Sequence, residues 1–159
     1  MKIYLAQKMT GLTGKEILSV VTPAIEILTR RGFDVLSPAI EEGVQDTDEI
    51  IGVATTPPEL LSQYWQRDKE LIGQCDVLID LSAEEKSEGV AHEIGIALYR
   101  YGIPVIRIYS RNPVKFGIQH LEDAFVCTTI TEACDFIDVA FRHEWQKELW
   151  KTLKLAGVI

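Results

Sequence analysis

The sequence predicts a doubly wound, flavodoxin-like α/β domain: a five-stranded parallel sheet with helices on both faces. Three observations predict it. Short apolar runs alternate with amphipathic helical stretches along the chain. The run Val77-Leu78-Ile79 has the length and β-branched content of a buried strand rather than of a helix. Third, no internal repeat, low-complexity segment or linker divides the 159 residues, so residues 1–159 read as a single domain large enough for a real core. Right-handed crossovers then bring ligands to the carboxyl ends of the strands. Those ends are the loop after Ala6, the Asp80–Ser87 loop and the loop after Tyr109.

Each element follows from local pattern. Ile3-Tyr4-Leu5-Ala6 is the first strand, and Gln7 to Gly14 is the loop at its carboxyl end. Helical pattern follows, with a fresh start expected at Thr22-Pro23, where Thr caps and Pro takes the first helical position. Ile25, Leu28 and the stem of Arg31 continue its apolar face, and Gly32 ends it. Phe33 to Leu36 is a second strand. Glu41 to Thr56 is acidic and weakly patterned, a long loop with at most a short helical turn.

Pro57-Pro58 opens a helix through about Gly73. The third strand follows, and Ser87 then caps a helix with Glu88 in its first turn and Val90, Ile94, Ala97 and Leu98 on one face. Pro104 to Tyr109 is the fourth strand, and Ser110 to Asp123 is a loop with a possible helical turn. Phe125 to Thr128 is the fifth strand. Thr131 to about Leu155 reads as one long helix capped by Thr131, with Phe136, Ile137, Ala140, Phe141 and Trp145 buried.

The totals exclude several functions. A net charge of −8 argues against general nucleic-acid binding, which needs basic surface. There is no signal-peptide pattern and no run of membrane-spanning length, which predicts a cytoplasmic protein. Cys75, Cys127 and Cys134 lack metal-type spacing and read as buried free thiols. His92-Glu93 starts like a zinc-protease HExxH, but position 96 is Ile. No nucleophile elbow or Walker loop occurs, and neither a metal nor an organic cofactor is expected. Gly11-Leu12-Thr13-Gly14 reads as a turn before a helix rather than a phosphate loop. Tyr64-Trp65 could stack on a base, although aromatics at helical spacing are more often core.

Glu93 is the most informative single residue. Its neighbours one turn away are Gly89, Val90, Ile96 and Ala97, none of them basic, so a surface ion pair along the helix is missing. It is either a functional carboxylate or a Glu at the edge of a buried face with its tip in water.

The order MKIYLA, TPAIEILTRRGFDVLSPA, QRDKELIGQCDVLIDL and SEGVAHEIGIALYRYGIPVI resembles the nucleoside 2-deoxyribosyltransferase family and its nucleotide N-glycosidase relatives. The resemblance covers roughly residues 2 to 121. Its most specific part is Ser87-x-Gly89-x-x-x-Glu93-x-Gly95-x-Ala97. It implies cleavage of the N-glycosidic bond of 2'-deoxynucleosides or nucleotides through a covalent glycosyl-enzyme intermediate. Glu93 is then the nucleophile, a role that needs an ionised carboxylate shielded from water.

The resemblance further implies that Tyr4 orients Glu93 through its phenol, and that Asp68 contacts the base and helps to protonate it as it leaves. Asp68 otherwise reads as a helix-surface Asp paired with a nearby Lys or Arg. Asp80 is a candidate second carboxylate in the same cleft. Met9, in the loop after the first strand, and Gly89 complete the expected substrate contacts with Ser87. Gln119 falls where transferases carry an Asn that reaches a neighbouring subunit's site, which implies a homo-oligomer with shared active sites.

Two departures qualify the match. The loop after the first strand is Gln7-Lys8-Met9-Thr10-Gly11 rather than a small-residue turn, so Lys8 either meets a phosphate or is solvated. Position 87 is Ser, as in the nucleotide hydrolases, where the nucleoside transferases carry Asp. That difference favours a 5'-monophosphate, which an Asp would repel; alternatively Ser87 only caps its helix. The competing readings are a catalytically inactive nucleotide-sensing module of the same fold, and an interaction domain without a small ligand.

Overall fold

A computed structural model describes residues 1–52, 58–82, 85–109, 124–141 and 143–158. Its strands are β1 (Lys2–Ala6), β2 (Asp34–Leu36), β3 (Val77–Asp80), β4 (Val105–Ile108) and β5 (Phe125–Cys127). All pair in parallel in the order β2-β1-β3-β4-β5, the flavodoxin-like order that the alternation predicts. Chain direction across the sheet reverses between β1 and β3, so a crevice opens at their carboxyl ends.

The pleat divides the core in two. Ile3, Leu5, Val77, Ile79 and Ile106 face α1 (Gly14–Arg30) and α5 (Ile130–Ala140). Tyr4, Ala6, Leu78 and Val105 face α3 (Pro58–Ile72), α4 (Glu88–Gly95) and a π-helical extension of α4 over Ile96–Tyr101. A short α2 (Pro38–Glu41) precedes the acidic loop and overlaps it only at Glu41, so it is not the turn expected within Glu41–Thr56. No described helix is long and apolar enough to cross a membrane.

Five expectations need correction. Helix α1 does not restart at Pro23: it runs unbroken from its cap at Thr13, which forms a reciprocal capping box with Glu16. Ile17, Val21, Ala24 and Leu28 stay in phase across the proline and are all buried, and that burial outweighs one lost helical bond. Arg31 does not extend this face. It sits at the C-cap and pairs with Asp135 and Asp138 on α5.

The C-terminal segment is two helices rather than one. Thr129, not Thr131, caps α5, and a second helix, α6, spans Glu144–Leu155. Helix α6 places Trp150 5.0 Å from the Phe125 ring in a cluster with Phe136 and Phe141. Trp145, expected in the core, is instead 64% exposed. Cys75, Cys127 and Cys134 are free and buried, as expected.

Candidate active site

The site begins with the register of β1. Tyr4 pairs opposite Leu78 in the middle of the sheet and points toward α4, fully buried. Ser87 caps α4, its Oγ accepting the Val90 N–H at 3.2 Å. Val90 and Ile94 then anchor the helix in the core and carry Glu93 inward with them, leaving it 8% exposed. The Tyr4 phenol donates to Glu93 Oε1 at 2.8 Å. The other oxygen, Oε2, is buried and has no hydrogen-bond partner among the described residues.

Glu93 lies at the floor of a cleft of about 440 Å³. Helix α3 supplies Tyr64, Trp65 and Asp68 to one wall. The loop after β1 supplies Gln7, Lys8, Met9 and Thr10, and the start of α4 supplies Ser87 and Gly89. The acidic loop contributes Glu42, Ile51 and Gly52. It is laid against the first loop and the start of α1 by backbone bonds from Gly11 N to Ile51 O (2.7 Å), Ile51 N to Leu12 O (2.9 Å) and Lys15 N to Thr47 O (3.1 Å). Gly14 permits this approach, since a Cβ there would collide with the Gln45 carbonyl oxygen.

The electrostatics are dominated by carboxylates taken out of water. Burial pushes Glu93 up from its ordinary 4.5 to about 8, and the nearby Asp68 charge adds to this, while the Tyr4 hydrogen bond opposes it. Burial also raises Asp68 and Glu42, against the pull of Arg67. Arg67 donates to Glu42 Oε1 at 2.6 Å and to Asp68 Oδ1 at 3.3 Å, tying the acidic loop to α3. Burial, with Glu93 and Asp68 close by, raises the Tyr4 phenol well above 10, so it remains a donor. An unpartnered buried carboxylate oxygen, a donor that orients its partner oxygen, and a second carboxylate able to hold a proton can together attack an electrophilic carbon and protonate a leaving group.

The expected residues divide clearly. Tyr4 touches Glu93, and Asp68, Ser87, Gly89 and Met9 line the same cleft as Glu93. Asp68 is also paired with Arg67, as its alternative reading expects, but its side chain is largely buried rather than on the helix surface. Asp80 is not among the cleft residues. It is fully buried, held by Arg107 Nε at 3.1 Å, and accepts the Ser82 N–H at 2.8 Å. As a β3 residue it faces the α3–α4 side beneath the site, where its charge contributes to the upward shift of Glu93.

Ser82 Oγ in turn accepts the Lys8 N–H at 2.9 Å, so this buried pair braces the loops after β1 and β3. Lys8 pairs with Glu85 at 2.9 Å on the cleft wall. Trp65 is not core: it is 39% exposed, lines the cleft, and packs edge-on against His92 at 4.6 Å. Gln119 lies outside the described residues. Sequence reasoning missed Glu42, Arg67 and Gln7. Glu42 sits in the long acidic loop already suspected of function, but its pairing with Arg67 spans 25 residues. Among the described residues no cluster of His, Cys, Asp and Glu is arranged to hold a metal ion.

Residues 1–107 match the family described as "Domain of unknown function (DUF4406)". The chain belongs to this family. No curated protein matches it by sequence. Among solved structures, the DUF4406 chain is similar to a 2-deoxyribosyltransferase from Bacillus psychrosaccharolyticus. They share 20% identity over 85% of this chain and 91% of that one, with a TM-score of 0.64. It is also similar to the Clostridium botulinum CMP N-glycosidase BcmB, at 16% identity over 87% and 100% of the two chains, TM-score 0.52. A conserved protein from Enterococcus faecalis V583 matches at 18% identity over 87% and 97%, TM-score 0.58. At these identities the likeness establishes the fold, which this DUF4406 chain shares with a deoxyribosyltransferase and a nucleotide N-glycosidase.

Proposed function

We propose that the protein cleaves the N-glycosidic bond of a 2'-deoxynucleoside 5'-monophosphate or of the corresponding nucleoside, with Glu93 as nucleophile. The observation that carries this reading is the Tyr4–Glu93 pair: one buried carboxylate oxygen held at 2.8 Å, the other unpartnered at the floor of an open cleft. The fold shared with a deoxyribosyltransferase and with BcmB supports it.

In the first step the Glu93 Oε2 lone pair forms a bond to C1' of the sugar. The C1'–N bond breaks, its electron pair leaves on the base nitrogen, and Asp68 delivers a proton to the base. In the second step water, or a ring nitrogen of another base, attacks C1' and expels Glu93. Asp68 takes the proton that the incoming group gives up. One proton shared by the Asp68–Glu93 pair suffices: Glu93 is reactive when that proton sits on Asp68, and the positive charge growing on the sugar favours this arrangement.

Ser87 supports the 5'-monophosphate over the nucleoside. It stands at the N-terminus of α4 at the cleft edge, where a phosphate meets the helix dipole, with Lys8 and Lys86 on the same cleft. The reading includes a homo-oligomer whose sites are completed near Gln119, on the strength of the family resemblance.

The test is chromatographic. The protein is incubated with deoxynucleosides and their 5'-monophosphates, with and without a second free base. Base released from monophosphates alone identifies a nucleotide hydrolase. A new nucleoside formed only with the second base identifies a transferase. A Glu93→Ala protein that is folded and fully active would refute the nucleophile assignment.

A further inference from the structure

The carboxylate and amide oxygens on the cleft floor and on the walls formed by α3 and the acidic loop are acceptors, and the Tyr64 hydroxyl and Trp65 indole N–H on α3 are donors. Gln7 Oε1 is buried without a partner among the described residues, and its amide nitrogen is already committed to the Lys8 carbonyl at 3.0 Å. Glu93 Oε2 is likewise buried and unpartnered. Glu42 and Asp68 each give one oxygen to Arg67, and both line the cleft. These two side chains are only 18% and 13% exposed, so what they meet in the cleft is largely shielded from water. A buried acceptor without a donor is costly, so a ligand that fits this cleft supplies donors.

Tyr64, with Arg67 over its ring at 5.3 Å, and Trp65 line the same wall with aromatic side chains, which suits a flat ring. Arg67 binds both acids from the protein side and does not itself line the cleft, which makes it a positioning residue. It fixes Glu42 beside Asp68, so that a ring edge meets one acceptor next to one proton carrier.

We infer that Glu42, held by Arg67 next to Asp68, reads the base, and that the site takes bases carrying an exocyclic amino group beside a ring acceptor. A 6-aminopurine or 4-aminopyrimidine donates its amino hydrogen to Glu42 while an adjacent ring atom accepts the Asp68 proton. A 6-oxo or 4-oxo base presents a carbonyl oxygen to the Glu42 carboxylate and is repelled. The inference rests on the N-glycosidic reading above and adds the class of base.

The experiment uses substrate pairs that differ only in amino against oxo: dAMP with dIMP, and dCMP with dUMP, together with the four nucleosides. The amino member is expected to have kcat/KM higher by about 10–100-fold, the range for one hydrogen bond to a charged group. Glu42→Gln, whose amide serves as donor or acceptor, brings the ratio to within about threefold. Cleavage without amino preference in the wild type overturns the base assignment and leaves the glycosidase reading intact. If no substrate is cleaved, the glycosidase reading fails, and calorimetric binding of the same pairs to wild type and Glu93→Gln decides the base assignment. Tighter binding of the amino member, lost in Glu42→Gln, supports it; equal binding, or none, overturns it.

Discussion

Glu93→Gln should reverse sign in its effect on stability between pH 5 and pH 8. In the folded protein the carboxyl is raised from 4.5 to about 8, chiefly by burial. A carboxyl raised on folding binds its proton more tightly in the native state. Its favourable contribution is therefore complete below the unfolded value and is lost as pH rises through about 8. Each tenfold change in proton affinity is worth ~1.4 kcal/mol, so ionising Glu93 costs the fold ~5 kcal/mol in the alkaline limit. About 3.5 kcal/mol of that accrues between pH 5 and 8.

Glutamine keeps the oxygen that accepts from Tyr4 and cannot ionise. Its amide nitrogen replaces the unpartnered Oε2 with buried donors, at a cost of about 1–3 kcal/mol. The variant should thus be less stable than wild type by ~1 kcal/mol at pH 5 and more stable by ~2 kcal/mol at pH 8. At about 2–4 °C per kcal/mol for a chain of this size, the difference in Tm should swing by about 10 °C. The assay is thermal unfolding by circular dichroism at half-unit steps of pH, with reversibility checked at each. Parallel Tm curves for the two proteins across this range would refute the argument that Glu93 is buried at a cost.

Three further outcomes follow from the same geometry. Tyr4→Phe removes the hydrogen bond that lowers Glu93, so the alkaline limb of the kcat/KM profile, expected near pH 8 in the wild type, should move up by about one unit while kcat falls about 10–100-fold. An unmoved limb would count against the pairing in solution. Ser87→Asp keeps a good N-cap but places a charge at the mouth of α4. It should raise KM for 5'-monophosphates by tenfold or more relative to nucleosides, read by parallel steady-state kinetics. Arg107→Met leaves Asp80 buried without this partner and should destabilise by ~3 kcal/mol in urea unfolding, and adding Asp80→Asn should recover most of the loss.

How far the sequence could be read depended on the range of each interaction. The sheet order followed from alternation alone, because parallel strands need crossovers and these admit few topologies. Glu93 stood out because its local environment was unusual for a surface glutamate, but that pattern left a bland edge position equally open and the nucleophile role came from the family resemblance. Pro23 misled because a proline preceded by threonine is a legitimate helix start, and only the phase of Ile17, Val21, Ala24 and Leu28 revealed continuity. The break before α6 had no glycine or proline to announce it, and its cap is a histidine. Glu42 and Arg67 were invisible for a different reason. Neither has a local pattern, and their pairing exists only because the acidic loop is laid across the first one.

Asp80 carries the last step of the argument. A carboxylate at the carboxyl end of a central strand is the expected position for a catalytic acid in this fold class, yet Asp80 is fully buried and bound by Arg107 and Ser82. Its work is mechanical and electrostatic. Through Ser82 it holds Lys8 and the loop after β1 in place, and its negative charge helps to keep Glu93 reluctant to ionise. In the proposed reaction, a growing positive charge on a bound sugar would reverse that reluctance, since each buried carboxylate would then face a cation instead of another anion. On the proposed reading, the same arrangement that costs stability in the empty cleft would favour the transition state over the ground state.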